Sequence, residues 1–337
     1  MNSSPGIYPE NALILAPLSG YTDLPYRNSA RRHGAEYLFT EMIDAGALVF
    51  GNEKTLKMLT RGENESWLGI QIVGSEHQIL KKAVHIINQH SFQVLDFNLG
   101  CPAPKVVRKN EGAKLAENRE NAVNAFKVIS DNSSIPVSAK IRILSEEDPQ
   151  PTLELINDLV DAGAAGITIH GRLRKNFYSG PVFTSIIAQA AESFNIPIIA
   201  NGGVHNYEDY IKLKNETHCD KIMLARGAMG NPWIFSEIIS NISFTPPSAD
   251  DIANEIELHV LEMIDFYGLK LGLTISRKIV LDYMSGRGFP RILKNEVVKI
   301  ADVFDLKIFT DKLRNGTSER YKNWLKTLPK IKRKMSV

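Results

Sequence analysis

Residues 94–102, Val-Leu-Asp-Phe-Asn-Leu-Gly-Cys-Pro, combine a short apolar run typical of a buried strand with an end made of polar and glycine residues. Similar runs recur along the chain, and stretches with helical apolar spacing separate them. The eight runs are Ala12–Ala16, Tyr37–Thr40, Gly69–Val73, Val94–Asn98, Val137–Ile141, Gly166–His170, Ile198–Ala200 and Lys221–Leu224. This alternation is typical of α/β folds, and a count of eight favours a TIM (β/α)8 barrel over an open doubly wound sheet.

The longer stretches predict helices, and a Thr-Pro-Pro-Ser connector ending at Ser248 marks a boundary. We therefore predict a catalytic barrel domain over residues 1–244 and a small all-helical bundle over residues 245–337. In the barrel domain the predicted helices are Glu76–Gln89, Asn118–Ser130, Thr152–Ala162 and Phe183–Phe194. In the second domain they are Ile252–Tyr267, Thr274–Met284, Phe289–Ala301 and Ser318–Thr327.

Nearly every predicted strand ends in polar or glycine residues, and in a TIM barrel these ends meet on the face that carries the active site. The ends read Pro17-Leu18-Ser19-Gly20, Glu41-Met42, Gln71, Asn98-Leu99-Gly100-Cys101-Pro102, Lys140-Ile141-Arg142, His170-Gly171-Arg172, Asn201-Gly202-Gly203 and Ala225-Arg226-Gly227. The sequence thus predicts one site assembled from eight places along the chain. No metal-ligand cluster is predicted.

The glycine-rich ends of the last two strands predict a phosphate site. Backbone N–H groups at this position of a TIM barrel often hold a phosphate, and Arg226 adds a positive charge. The glycines could alternatively serve only as tight turns. A flavin phosphate and a sugar phosphate fit this pattern equally well.

Lys140 lies within an apolar run, so its ammonium is expected to point into the barrel or its mouth. An unpaired buried ammonium is costly, so we expect an anionic partner. A Schiff base, a cation facing a reduced flavin and a lysine paired with a structural carboxylate all remain open. His170 ends the next strand, where a histidine is more commonly a hydrogen-bonded residue than a catalyst.

Cys101 lies between a glycine and a proline at the mouth of the fourth strand. A thiol is mostly protonated at neutral pH, so Cys101 is a candidate general acid for protonation of carbon. A nucleophile and an inert small residue are the alternatives. Cys219, away from the predicted mouth, is interpreted as structural.

Composition indicates an ordinary globular protein, with 43% hydrophobic and 23% charged residues among 337. No apolar run predicts a membrane span or a secretory signal, and two cysteines argue against a disulfide framework, so we expect a cytoplasmic protein. The net charge is −3 over residues 1–244 and +5 over residues 245–337. The densest basic segment comprises Arg320, Lys322, Lys326, Lys330, Lys332, Arg333 and Lys334. This segment predicts attraction to phosphates, although a solvated tail explains it equally well.

The strand ends together resemble the tRNA-dihydrouridine synthases, a family of flavin-dependent enzymes. The resemblance covers the whole barrel in order, and the helical tail is similar to that family's RNA-binding domain. It rests on the segments Ala16-Pro17-Leu18-Ser19-Gly20-Tyr21-Thr22-Asp23, Gln71, Asn98-Leu99-Gly100-Cys101-Pro102, Lys140-Ile141-Arg142, His170-Gly171-Arg172, Asn201-Gly202-Gly203 and Ala225-Arg226-Gly227.

This resemblance implies bound FMN, NADPH (or NADH) as reductant and tRNA as the substrate, with no obligate protein partner. Reduced FMN would deliver hydride to C6 of uracil while Cys101 protonates C5. The implied cofactor residues are Ala16, Pro17 and Leu18 along the flavin, Gln71 at its pyrimidine edge, Lys140 and His170 on its polar side, and Asn201, Gly202, Gly203, Ala225 and Arg226 at the phosphate. The implied substrate residues are Asn98, Arg142, Arg172 and Arg174.

The chain departs from the family pattern after Arg142, where residues 143–147 replace the usual Thr-Gly-Trp, and at Leu173, where threonine is common. Leu18 stands where methionine is usual. We expect these changes to affect contacts with the substrate more than binding of the flavin. Ribosomal RNA as substrate, a dihydroorotate or dihydropyrimidine dehydrogenase-like enzyme, a Schiff-base lyase or aldolase without flavin, and an inactive RNA-binding protein are the alternatives.

Overall fold

The computed structural model describes residues 7–241, 246–316, 319, 322 and 323. Eight parallel strands close into a barrel in chain order, with the last strand pairing with the first. The strands are β1 (Leu13–Leu15), β2 (Tyr37–Asp44), β3 (Leu68–Val73), β4 (Val94–Leu99), β5 (Val137–Arg142), β6 (Ile167–His170), β7 (Ile198–Asn201) and β8 (Lys221–Leu224). The predicted TIM barrel is confirmed, and each predicted run overlaps one strand, although β2 extends four residues beyond the predicted end at Thr40.

Helices alternate with these strands. They are α1 (Leu24–Arg32), α2 (Ala45–Val49), α3 (Glu53–Lys57), α4 (His77–Ile87), α5 (Pro104–Val107), α6 (Ala113–Ala116), α7 (Arg119–Asn132), α8 (Gln150–Asp161), α9 (Thr184–Ser193), α10 (Tyr207–Thr217) and α11 (Trp233–Ile239). The four helices predicted for the barrel domain correspond to α4, α7, α8 and α9 within a few residues. Their ends follow local signals such as Asn118, whose side chain accepts a hydrogen bond from the Asn121 N–H and caps α7.

Alternate residues of the strands point into the barrel and fill it with apolar side chains. Ile14, Phe39, Ile199 and Met223 belong to one buried cluster. Gly69 faces the Phe39 ring so closely that a Cβ there would lie 2.4 Å from Phe39 Cε1. The aromatic ring thus occupies the space that any larger residue at position 69 would need.

Strand register brings the polar strand ends side by side. Gln71 lies opposite Asp96 of the next strand, and Asn98 lies opposite Lys140. Around the barrel, His170 lies opposite Asn201. Because the strands are parallel, all these ends open on the same face of the barrel.

The C-terminal part of the chain is helical. It contains α12 (Ala249–Tyr267), α13 (Leu269–Met284), α14 (Arg291–Glu296) and α15 (Val303–Arg314), with a 3-10 turn at Val297–Lys299. A reciprocal pair of hydrogen bonds between Ser248 and Asp251 caps α12. The sequence analysis did not predict α15, although Asp302 caps its start. The predicted helix Ser318–Thr327 and the basic segment fall mostly outside the described residues.

By internal contacts the chain forms two compact units. The first contains residues 1–23, 36–204 and 209–225, and the second contains residues 24–35, 205–208 and 226–337. Helix α1 therefore groups with the C-terminal helices. The predicted boundary between residues 244 and 245 lies outside the described residues and stays a prediction. Among the described helices, none is long and apolar enough to cross a membrane.

A buried ion-pair cluster joins α1 to α12 within the second unit. Glu255 is 5% exposed, and its carboxylate accepts hydrogen bonds from Arg32 Nη2 at 2.7 Å and from His33 Nε2 at 3.1 Å. Burial alone would raise the pKa of Glu255, but the hydrogen bonds from His33 and Arg32 outweigh burial and lower it to about 2.

We expect Glu255→Gln to destabilise the protein at pH 7 by about 2 kcal/mol, because the lowered pKa means that folding favours the ionised carboxylate. This stabilisation is fully present above the ordinary glutamate pKa and is lost as the pH falls from about 5 towards 2. Urea unfolding of both proteins from pH 7 down to pH 3 measures the difference, which should shrink with acidity. Asp131→Asn, which breaks an exposed pair with Lys127, is the control and should change stability by less than about 0.5 kcal/mol. A difference in unfolding free energy between Glu255→Gln and wild type that stays constant from pH 7 to pH 3 would contradict a lowered pKa at Glu255.

Candidate active site at the strand ends

A chain of side-chain hydrogen bonds connects β3 and β4 to the backbone around Cys101. Gln71 Nε2 donates to Asp96 Oδ2 at 2.7 Å, and Asn98 Nδ2 donates to Gln71 Oε1 at 2.8 Å. The other end of the Asn98 amide, Oδ1, accepts from the backbone N–H groups of Gly100 at 3.1 Å and Cys101 at 2.8 Å. The predicted residues Gln71, Asn98 and Cys101 are thus part of one connected site.

Asp96 is a site residue that the sequence analysis missed. Its carboxylate is 1% exposed and also accepts a hydrogen bond from Ser138 Oγ at 2.6 Å. Burial raises the pKa of Asp96 to about 6, although the hydrogen bonds from Gln71 and Ser138 favour its charged form. The available signal was a carboxylate in the middle of an otherwise apolar strand, which is rare without a partner.

Cys101 lies in a half-buried position immediately after β4. A Cβ at Gly112 would lie 2.9 Å from the Cys101 carbonyl oxygen and 3.2 Å from its Cβ, so only glycine fits against the cysteine. The Ala113 N–H donates to the same carbonyl at 3.1 Å. Burial raises the pKa of the Cys101 thiol above its ordinary value, so the thiol is protonated at neutral pH.

Lys140 points its ammonium at a neutral group. Its Nζ donates to Asn201 Oδ1 at 2.8 Å, and Asn201 Nδ2 donates to the Met223 carbonyl at 2.7 Å. Burial, followed by the charge of Arg142, lowers the pKa of Lys140 to about 7, while the charge of Asp96 opposes this shift. In its protonated form this half-buried side chain, which donates to a neutral amide, is suited to an anionic ligand.

Arg142 is used to hold two loops together. The guanidinium, 3% exposed, donates through Nε to the Gly100 carbonyl at 2.7 Å. Its Nη1 donates to the carbonyls of Leu173 at 3.1 Å and Phe177 at 2.7 Å. These bonds fix the Cys101 loop against the loop after β6, so Arg142 has a structural role whether or not it also contacts a substrate.

His170 and Arg172 form a second connected pair. Arg172 Nη1 lies 3.2 Å from His170 Nε2, and a guanidinium can only donate. Nε2 is therefore the acceptor, and the proton of the neutral ring is on Nδ1. The Arg172 Nε donates to the Gly180 carbonyl at 2.9 Å. Tyr178 stacks on the His170 ring with the centroids 6.4 Å apart.

Gly202 and Gly203 follow β7 with φ angles of +125° and +78°, which residues with side chains rarely adopt. A Cβ at Gly202 would also lie 2.9 Å from His170 Cδ2, so the backbone here passes directly beside the histidine ring. Such a bare, left-handed backbone segment can approach a phosphate closely. Asn201, Gly202 and Gly203 are thus brought together with Lys140 and His170.

The remaining predicted cofactor residues follow β1 and β8. Ala16 is buried, and its N–H donates to the Leu224 carbonyl at 2.8 Å. Pro17 is half-buried, whereas Leu18 and Ala225 pack against the barrel's apolar cluster. Arg226 begins a short 3-10 turn in the second unit, and its role at a phosphate stays a prediction.

Arg174 is engaged by an acidic side chain. It begins a 3-10 turn, and its partly exposed guanidinium forms an ion pair with Glu117. A substrate phosphate would therefore have to compete with Glu117, so its substrate role stays a prediction.

The assembled groups suit reduction of a polar heterocycle. A protonated thiol can deliver a proton to carbon, a buried ammonium can stabilise negative charge, and the Gln71 amide can bind a ring edge. The glycine pair can hold a phosphate.

Comparison with known proteins agrees with this chemistry. The sequence profile described as dihydrouridine synthase (Dus) matches residues 14–316. The chain is 31% identical to tRNA-dihydrouridine synthase B of Pasteurella multocida, with 91% of this chain and 96% of that protein aligned. It is 32% identical to tRNA-dihydrouridine synthase B of Xanthomonas axonopodis pv. citri, with 79% of this chain and 81% of that protein aligned.

Among solved structures, histamine dehydrogenase from Rhizobium sp. 4-9 is similar in fold, with a TM-score of 0.51 and 10% identity over 74% of this chain and 48% of that chain. At this identity the likeness shows a similar fold and no more. The profile match over most of the chain and the two bacterial relatives decide the assignment: this chain belongs to the dihydrouridine synthase family.

Proposed function

We propose that this chain is a flavin-dependent oxidoreductase that reduces the C5–C6 double bond of uridine in tRNA to 5,6-dihydrouridine, with FMN as cofactor and NADPH as reductant. The observation that carries the proposal is the placement of Cys101 and Lys140 at one barrel mouth: Lys140 of β5 lies opposite Asn98 of β4, and the Cys101 N–H donates to Asn98 Oδ1. Family membership and the names of the relatives support the reaction and the tRNA substrate.

The residues present fit a flavin phosphate ester. Lys140 donates to a neutral amide and so suits an anionic ligand, and Gly202 and Gly203 have positive φ angles that disfavour side chains and let the backbone approach a phosphate. In this proposal Ala16, Pro17 and Leu18 line the ring system, and Gln71 binds its pyrimidine edge. Lys140 and His170 face its polar side. The phosphate residues are Asn201, Gly202, Gly203, Ala225 and Arg226.

When bound, FMN supplies the hydride that adds to C6 of uracil. Hydride addition leaves enolate-like negative charge on the ring, which must be quenched at C5. Cys101 donates this proton, because its raised pKa keeps the thiol protonated at neutral pH. The hydrogen bond from the Cys101 N–H to Asn98 Oδ1 fixes the backbone from which the thiol is presented.

Two features of the chain are expected of an enzyme that acts on RNA and are not expected of one that acts on a free pyrimidine. The target base has to leave its stack to reach the strand ends, which is easiest in a loop of structured RNA. Arg172 lies at the mouth, and the positive charge of residues 245–337 favours a polyanion. These features favour RNA over a dihydroorotate-like substrate, and we propose the cytoplasm as the location.

The test is mass-spectrometric mapping of dihydrouridine in tRNA and ribosomal RNA from cells with and without the gene. We expect loss of dihydrouridine at one or a few tRNA positions and restoration by the wild-type gene. Loss confined to ribosomal RNA would move the substrate to that RNA. Unchanged dihydrouridine in both RNAs, or a purified protein that retains no yellow colour after incubation with FMN and removal of unbound FMN, would refute the proposal.

A further inference from the structure

We propose that Asp96 is a positioning residue that sets the orientation of the Gln71 amide and of the loop carrying Cys101. The catalytic meaning of this inference rests on the proposed function, because Gln71 is there assigned to the flavin and Cys101 to the proton transfer. The hydrogen bonds from which we infer this role join only side chains and backbone groups of the barrel.

Both ends of the hydrogen-bond chain have a fixed polarity. The backbone N–H groups of Gly100 and Cys101 can only donate, so the oxygen of the Asn98 amide must face them. The nitrogen of Asn98 then faces Gln71, whose own oxygen must accept. The nitrogen of Gln71 is consequently directed at Asp96, which as a carboxylate can only accept.

This arrangement explains why an acid occupies a buried strand position. A carboxylate at 1% exposure loses its hydration, and two hydrogen bonds from Gln71 and Ser138 compensate only in part, since the pKa of Asp96 still rises to about 6. An apolar residue would avoid this cost. It would, however, leave the Gln71 nitrogen without an acceptor and the amide free to turn over.

With its direction fixed, the fully buried Gln71 amide has one N–H and one lone pair beyond its bonds to Asp96 and Asn98. The amide would then present a defined donor and acceptor pair to the pyrimidine edge of a flavin. Asn98 in turn accepts from the backbone N–H groups of Gly100 and Cys101, so the position of the thiol depends on the same chain.

The test compares Asp96→Ala with Asp96→Asn and Ser138→Ala. Asparagine is nearly isosteric, and its amide oxygen can still accept from Gln71 while its nitrogen donates to Ser138 Oγ. Ser138→Ala removes the other partner of Asp96 without touching the chain to Cys101, so it is the matched control. Two readouts are measured: the FMN dissociation constant of the apoprotein by fluorescence quenching, and the rate of Cys101 alkylation by iodoacetamide in the apoprotein, with the label located by mass spectrometry.

We expect Asp96→Ala to weaken FMN binding by about tenfold or more and to change the Cys101 alkylation rate several-fold. Asp96→Asn should restore both values to within about threefold of wild type, and Ser138→Ala should stay in the same range. A folded Asp96→Ala protein that matches wild type in both readouts would overturn the inference. Equal defects in Ser138→Ala and Asp96→Ala would also overturn it, because they would indicate a general packing effect.

If Asp96→Ala does not fold, Gln71→Met removes the middle link, and an unchanged alkylation rate of Cys101 would then refute the inference. The alkylation arm requires neither flavin nor RNA. Failure of wild type to bind FMN would therefore refute the proposed function while leaving this arm intact, and the two failures are distinguishable.

Discussion

Replacing Cys101 by alanine is expected to lower the rate of dihydrouridine formation by about 10²- to 10⁴-fold, the usual contribution of a positioned general acid. The thiol is the proton donor at the barrel mouth, and burial raises its pKa, so it is protonated throughout the neutral range. The contribution of the thiol to the rate should therefore stay level through neutral pH and fall as alkaline pH deprotonates it. Single-turnover reduction of tRNA by pre-reduced enzyme, followed by mass spectrometry, measures the loss.

Cys219→Ala is the matched control, because that thiol is 3% exposed and lies before β8, away from the strand ends. It should retain wild-type turnover. FMN binding by Cys101→Ala should stay within about threefold of wild type, since the thiol is assigned to the substrate and not to the cofactor. Normal turnover by Cys101→Ala would remove Cys101 from the mechanism.

The sequence predicts the barrel well because the periodic signal is local. Each βα unit carries its own apolar strand and amphipathic helix, so the count of units and the positions of the strand ends follow without knowledge of long-range packing. Helix α15 was missed even though its Asp302 cap and its apolar residues Leu306, Phe309 and Leu313 were available signals.

The site was harder to predict because its hydrogen bonds join strands that are distant in sequence. Gln71 and Asp96 are 25 residues apart, and Lys140 and Asn201 are 61 apart. The order of residues in the sequence could identify the polar strand ends, but it could not show that Lys140 donates to a neutral amide. The role of Arg142 in joining two loops likewise depends on hydrogen bonds to backbone carbonyls, and every residue type has such a carbonyl, so the sequence cannot indicate them.

Lys140→Met is expected to stabilise the cofactor-free protein while weakening FMN binding. The folded pKa of Lys140 is about 7, below the ordinary lysine value, so folding disfavours its charged form. This destabilisation is absent above the ordinary lysine pKa, grows as the pH falls towards 7 and then levels off. Because Lys140 keeps partial solvent contact and donates to Asn201, we expect a net gain of about 1–2 kcal/mol at pH 7.

The same substitution should weaken FMN binding roughly 10- to 100-fold, because a charge-assisted contact with the anionic ligand is lost. Urea unfolding of the apoprotein at pH 7 and pH 10, with FMN titration at pH 7, measures both effects, and the stability gain should shrink at the higher pH. Lys127→Met, at an exposed helix position, is the control and should change neither quantity appreciably. Loss of stability together with unchanged FMN affinity would show that Lys140 serves the barrel and not the ligand. We expect stability and FMN affinity to change in opposite directions. A charge held in the barrel without a counter-charge lowers the folding stability of the apoprotein, and the same charge strengthens binding of an anionic ligand.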